Sequence, residues 1–208
     1  MGHMLHFLQE LVFNPAAVVT AAGYLGVSLI IFAETGILLG IFLPGDSLLF
    51  AAGLVASQGV LDPVALAALV ALAAIAGDAT GYWIGRAGGE AVLGRYPRLI
   101  KPEHIERTEQ FYARWGARAV VLARFVPIVR TIVPVLAGVG RMRYDRFFPF
   151  NVIGGILWGP LVIALGYFLG RSIPNAAHYL LPLSLLIVLI SFLPFFIRLV
   201  RNRRMRSS

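Results

Sequence analysis

The 208-residue sequence predicts an all-α integral membrane protein. The expected form is a single inverted-repeat bundle with four full transmembrane helices, two re-entrant helical hairpins and a surface amphipathic helix. Three observations lead there: too little charge for a water-soluble core, apolar runs of membrane-crossing length, and a repeat between the two halves. Hydrophobic residues make up 59% of the chain and charged residues only 13%, whereas soluble domains carry about 25% charged residues. The 208 residues include no cysteine, which excludes disulfides and thiolate chemistry.

The apolar segments run over 15–33, 35–57, 63–85, 117–140, 147–170 and 179–200. Each approaches the ~20 residues that cross ~30 Å of hydrocarbon at ~1.5 Å per residue. Two are interrupted. Segment 35–57 breaks at Pro44-Gly45-Asp46, and segment 117–140 carries Pro127, Pro134 and the charges Arg124 and Arg130. Proline deletes a helical amide donor, and broken backbone survives in lipid only when buried in protein or lining a wet cavity. Both are therefore read as re-entrant hairpins, with a kinked through-helix as the alternative. The stretch 87–116 mixes charges of both signs with Phe111, Tyr112 and Trp115, and is expected to lie along the cytoplasmic surface as an amphipathic connector.

The net charge of +8 is placed unevenly, with no Lys or Arg between Leu11 and Gly85. Basic residues gather in 86–118, in 141–146 and in the tail 201–208. Beside apolar segments such clusters set orientation and meet anionic lipid headgroups. Nucleic-acid binding is excluded, because no polar domain exists to carry it. With both hairpins in place, every basic loop falls on the cytoplasmic side together with both termini. Met1-Gly2-His3-Met4 reads as an expression scar ahead of a start at Met4, and no cleaved signal peptide is expected.

The halves repeat: GYWIGR at 81–86 matches GYFLGR at 166–171, and Gly53 precedes Gly81 by the same 28 residues that separate Gly138 from Gly166. This divides one membrane domain, 1–208, into a first copy over 15–86 and a second over 117–171, followed by a last helix at 179–200. A single crossing between the hairpins gives the copies opposite orientation. Paired broken helices in inverted repeats are the architecture of secondary transporters; a duplication serving only packing is the plainer alternative.

Glu34, Asp46, Asp78, Arg124 and Arg130 lie inside apolar segments. Each unpaired charge at mid-membrane costs ~2.5–3.5 kcal/mol on insertion scales, so these groups must pair or reach water. Arg124 and Arg130 flank Pro127 and are expected to face Glu34 and Asp46 across the hairpins. Guanidinium offers a fixed fork of donors suited to phosphate, which makes the two arginines candidate phosphate ligands; neutralising the acids is their other reading. Glu34 and Asp46 are candidate proton-coupling groups, with helix capping an equal reading for Asp46. Asp78 is expected to snorkel toward Arg86 or bond a neighbouring helix, and Tyr82, Trp83, Trp158 and Tyr167 to serve as packing or interface aromatics. No hydrolytic motif or metal-ligand spacing occurs, so no enzyme activity, metal or cofactor is expected.

The stretches FAETGILLGIFLPGDSLLFAAGLVA (32–56), GDATGYWIGRAGG (77–89) and ARFVPIVRTIVPVLAGVGRMRYDRFFPFNVIGGILWG (123–159) resemble the DedA family, the SNARE-associated or VTT-domain proteins. The resemblance covers most of the chain. It implies lipid transport in the bacterial inner membrane, with bacterial members similar to proton-motive-force-driven flippases of undecaprenyl phosphate. It also implies that Glu34, Asp46, Arg124 and Arg130 are functional; Asp78 and Asn151 are added as candidate supporting residues. Three other functions compete: a gradient-independent phospholipid scramblase, a proton–cation antiporter, and a membrane scaffold. Expected partners are a polyprenyl phosphate or phospholipid, anionic headgroups, protons and a second copy of the chain.

Overall fold

A computed structural model describes residues 15–36, 45–95 and 118–172, where long apolar runs form helix despite frequent glycine. Those residues form six helices: α1 (Pro15–Gly36), α2 (Gly45–Ser57), α3 (Pro63–Arg95), α4 (Arg118–Ala123), α5 (Pro127–Val139) and α6 (Tyr144–Ser172). No strand occurs among the described residues. Three helical stretches, Ala16–Gly36, Pro63–Gly88 and Tyr144–Ser172, are long and apolar enough to cross a membrane. They coincide with three of the four expected spans. The fourth, 179–200, lies outside the described residues, as do the tail, most of the connector and the loop 37–44.

Two boundaries differ from expectation. The span expected over 15–33 is broken at Gly23, whose φ of 59° and ψ of −157° suit glycine alone. Helix α3 continues to Arg95, through the first residues of the expected surface connector. Nothing between 86 and 95 stops a helix, since the first proline after Pro63 is Pro97.

Local chemistry explains the other ends. Asp62 caps α3 by accepting the Ala65 amide at 2.7 Å, with Pro63 at the first helical position. The Asp62 amide donates to the Tyr24 hydroxyl at 2.6 Å, tying this turn to α1. Before α5, Val126 is extended (φ −115°, ψ 106°), as a residue preceding proline must be. Helix α5 closes with the Met142 amide on the Ala137 carbonyl and the Arg141 amide on the Gly138 carbonyl, both 3.0 Å. This is a Schellman cap with Arg141 in the left-handed position (φ 51°) that glycine usually fills.

Helices α2 and α5 have 13 residues each, about 20 Å of helix against ~30 Å of hydrocarbon. Each packs on the long helix of the other sequence copy, α2 along α6 and α5 along α3, while α3 and α6 also touch directly. Both crossings bring backbone against backbone. A Cβ on Gly53 would overlap the Ile163 carbonyl, and one on Gly166 the Phe50 carbonyl. At the second crossing a Cβ on Gly138 would overlap the Tyr82 carbonyl, and one on Gly85 the Val135 carbonyl. Gly53 and Gly138 are repeat equivalents, but Gly166 corresponds to Gly81 and not to Gly85. The second crossing therefore sits one helical turn further along its long helix.

Two apolar clusters flank these crossings. One joins α1, α2, α3 and α6 through Val27, Ile31, Leu49, Leu66 and Ile163; the other gathers Tyr82, Val120, Val133 and Phe147. In the second, Phe147 stacks on Tyr82, and the Tyr82 hydroxyl donates to the Met142 carbonyl. Leu25, Leu29, Leu72, Leu165 and Phe168 are exposed on the outer faces, where lipid and not water is the natural solvent.

Candidate functional site

Segment 117–140 breaks where its prolines and charges predict a break. Helix α4 unwinds at Arg124–Val126, and α5 restarts at Pro127. Unwinding puts Arg124 at the tip of the bend, and one turn of α5 lifts Arg130 above it. Both arginines are buried, yet they do not converge.

Arg130 binds two carboxylates at once. One terminal nitrogen donates to Glu34 Oε1 at 2.5 Å and the other to Asp46 Oδ1 at 2.5 Å. Glu34 comes from the last turn of α1 and Asp46 from the first turn of α2, so Arg130 spans both sides of the 37–44 connection. The Glu34 carboxylate lies against Gly45, where any Cβ would collide with it. Glu34 has no solvent exposure, while 18% of the Asp46 side chain remains accessible. The cluster opens at Asp46. Among the described residues Glu34 Oε2 and Arg130 Nε have no hydrogen-bond partner, so the cluster holds acceptor and donor capacity that its own members do not satisfy.

Arg124 takes different partners. It donates to Asp78, to Asn151 Oδ1 at 2.5 Å and to the Ala74 carbonyl at 3.4 Å. Asn151 in turn donates to the Ile75 carbonyl at 2.9 Å. The bend between α4 and α5 is thereby bonded to α3 and α6. Gly154 makes room, since its Cβ would strike the Arg124 stem at 2.6 Å.

The expected meeting of acids from the first half with arginines from the second does occur, but its wiring differs. Arg130 alone holds Glu34 and Asp46, and Arg124 pairs with Asp78. Of the two readings of Asp78, the bond to a neighbouring segment is the one observed, to Arg124, and the snorkel toward Arg86 is corrected. These two lie eight positions apart on α3, about 12 Å along the axis, whereas Arg124 arrives laterally on the Asp78 face. Arg86 instead donates to the Tyr82 hydroxyl at 3.2 Å. Asp46 combines a first-turn position, favourable to a carboxylate, with its bond to Arg130.

Trp158, which sequence reasoning assigns to packing or the membrane interface, joins the Arg130 cluster. Its indole nitrogen donates to Asp46 Oδ1 at 3.1 Å, and the Arg130 guanidinium carbon stands 4.3 Å over its ring centre. The available signal is spacing. Asn151, Gly154 and Trp158 fall on one face of a helix, and that face of α6 serves both arginines.

The VTT domain family model matches residues 43–168, which contain every residue of the two clusters except Glu34. Protein DedA of Escherichia coli strain K12 is 43% identical over 179 residues, covering 85% of this chain and 81% of its own. An uncharacterized membrane protein of Mycobacterium tuberculosis is 42% identical over 187 residues, covering 88% of this chain and 81% of its own. One of Mycobacterium leprae is 40% identical over 179 residues, 86% and 80% of the two chains. No solved structure gives a significant match.

Proposed function

Because the chain belongs to the DedA family of VTT-domain membrane proteins, we propose that it is a transporter moving a lipid phosphate across the bacterial inner membrane. The substrate to which the resemblance points is undecaprenyl phosphate, carried as a flippase does and driven by the proton motive force. The observation that carries this reading is the buried guanidinium of Arg130 held between Glu34 and Asp46, beside two interrupted helices.

Formal charge supplies the logic. With both acids ionised, Glu34, Asp46 and Arg130 sum to −1 and repel an anion. One proton brings the cluster to zero, and a second leaves Arg130 free to hold phosphate through its fork of donors. Proton arrival and phosphate binding are then one event. Asp46, the accessible acid, is the port for the proton; Glu34 is the sealed partner. A polyprenyl tail has no need of this polar site and stays in lipid while the head passes. Arg124, Asp78 and Asn151 serve as the anchor of the hairpin tip in this mechanism, not as phosphate ligands.

In this reading segments 35–57 and 117–140 are the two re-entrant hairpins of inverted copies, with both termini cytoplasmic. The shortness of α2 and α5 and the exchange of long-helix partners support it. Because the chain has no cysteine, single cysteines at 58–62 and 141–146 labelled from either side of intact vesicles test the topology. The first should react only from outside and the second only from inside.

The decisive experiment is flipping of fluorescent undecaprenyl phosphate in proteoliposomes, with and without an imposed pH gradient. Accelerated flipping that responds to the gradient is expected. Flipping that ignores the gradient would make the protein a scramblase, and none at all would remove the substrate. A proton–cation antiporter is the second reading, favoured by two acids facing one arginine. In that case Arg130→Lys should retain much of the transport, whereas a phosphate site should lose most of it.

A further inference from the structure

The Arg130–Asp46 ion pair must open whenever Arg130 turns to another anion, and an opened pair in a buried site tends to collapse onto whatever polar group is near. Trp158 contacts both members by different atoms. The ring face carries the Arg130 guanidinium at 4.3 Å, and the indole N–H holds Asp46 Oδ1 at 3.1 Å. The ring-face contact leaves the Arg130 terminal nitrogens free for their carboxylates, whereas the indole N–H shares Asp46 Oδ1 with Arg130. Breaking the pair therefore leaves both held.

The side chain can do this because it is itself buried and closely packed. It is 3% exposed, and the glycines beside it in α6 let α3 close in, with Gly155 against Ile75 and Gly159 against Val70. Cation–π attraction strengthens when desolvated, and Arg130 is 6% exposed. One guanidinium face is covered by the ring, which confines an incoming oxygen to the edge where the terminal nitrogens point.

We infer that Trp158 is a positioning residue of this site: it keeps Arg130 and Asp46 in register while their ion pair is open, and so sets how well the site accepts an anionic headgroup. The second part rests on the proposed transport function, so the test has two arms.

In the first, no ligand is present. The indole N–H resonance of Trp158, assigned by its loss in Trp158→Phe, should move upfield in Asp46→Asn and stay in place in Asp62→Asn. A resonance indifferent to Asp46→Asn overturns the inference, whatever the protein transports.

The second arm uses fluorescent undecaprenyl phosphate in proteoliposomes. Trp158→Leu should raise the half-saturating concentration about tenfold, within the range of a desolvated cation–π contact, and by more than it lowers the maximal rate. Trp158→Phe keeps a ring under Arg130 and should raise it only about threefold. Equal effects of Leu and Phe, in proportion to lost thermal stability, would mean that the residue only packs, and overturn the proposal. Should the parent protein not move this lipid, the proposed substrate fails and the first arm alone decides the role of Trp158.

Discussion

Arg130 and Glu34 stand 96 positions apart in the chain and meet at 2.5 Å, with the carboxylate wholly removed from solvent. Opposite charges at that depth attract strongly, but each has lost its water. The pair is worth less as a source of stability than as a means of specifying which helices meet.

Removing one member should therefore be costly and removing all members cheap. Arg130→Gln leaves the buried Glu34 carboxylate and the half-buried Asp46 carboxylate without a cation and should destabilise by about 3–5 kcal/mol. Adding Glu34→Gln and Asp46→Asn should restore most of that loss while leaving transport abolished. Melting temperature in detergent and flipping in proteoliposomes measure the two halves of this statement.

The wiring of the two clusters is open to double-mutant cycles. Asp78→Asn with Arg124→Gln should show a coupling of about 1 kcal/mol or more, as groups in direct contact do. Asp78→Asn with Arg130→Gln should show much less. A reversed pattern would assign Asp78 to Arg130 and overturn this wiring.

Asn151→Ala should leave Arg124 short of one acceptor and the Ile75 carbonyl without its donor. The expected loss is about 1–3 kcal/mol of stability. Transport by protein that remains folded should fall less than in Arg130→Lys, since the hairpin tip is anchored also by Asp78 and the Ala74 carbonyl.

Glycines divide into two kinds. Gly53→Val and Gly138→Val drive side chains into carbonyls of the facing helix, and each should cost about 3 kcal/mol or prevent folding. Gly88, inside α3, has nothing within 4 Å of the place a methyl group would occupy; Gly88→Ala should stabilise by about 0.5–1 kcal/mol. Expression level and thermal melts separate the two.

Much of the fold is legible in the sequence because apolar run length and prolines act locally. Pro127 announces its own break, and Asp62-Pro63 announces the start of α3. The five intramembrane charges are legible as a group, since lipid leaves no other solution than pairing. Their pairing is not. Whether Arg124 faces Glu34 or Asp78 depends on the lateral placement of α4 against α3, a relation between residues 46 positions apart that no local pattern encodes. Trp158 escapes a sequence reading for a related reason: tryptophan in membrane helices is commonly interfacial, and only the arrival of Arg130 and Asp46 from other helices gives this one its second role. Gly23 is silent in the sequence because an isolated glycine in an apolar helix is ordinary; the φ of 59° is visible only in three dimensions.

The seams joining α2 to α6 and α5 to α3 are smooth. Gly53 meets Gly166 and the Ile163 carbonyl, while Gly138 meets the Tyr82 carbonyl and Gly85 the Val135 carbonyl, so main chain rides on main chain at these four points. A single polypeptide thus contains the same joint twice, seated at neighbouring notches about 5.4 Å apart on their tracks. Each joint displays the setting its twin does not occupy, and bulk added at any of these four glycines would obstruct the joint to which it belongs.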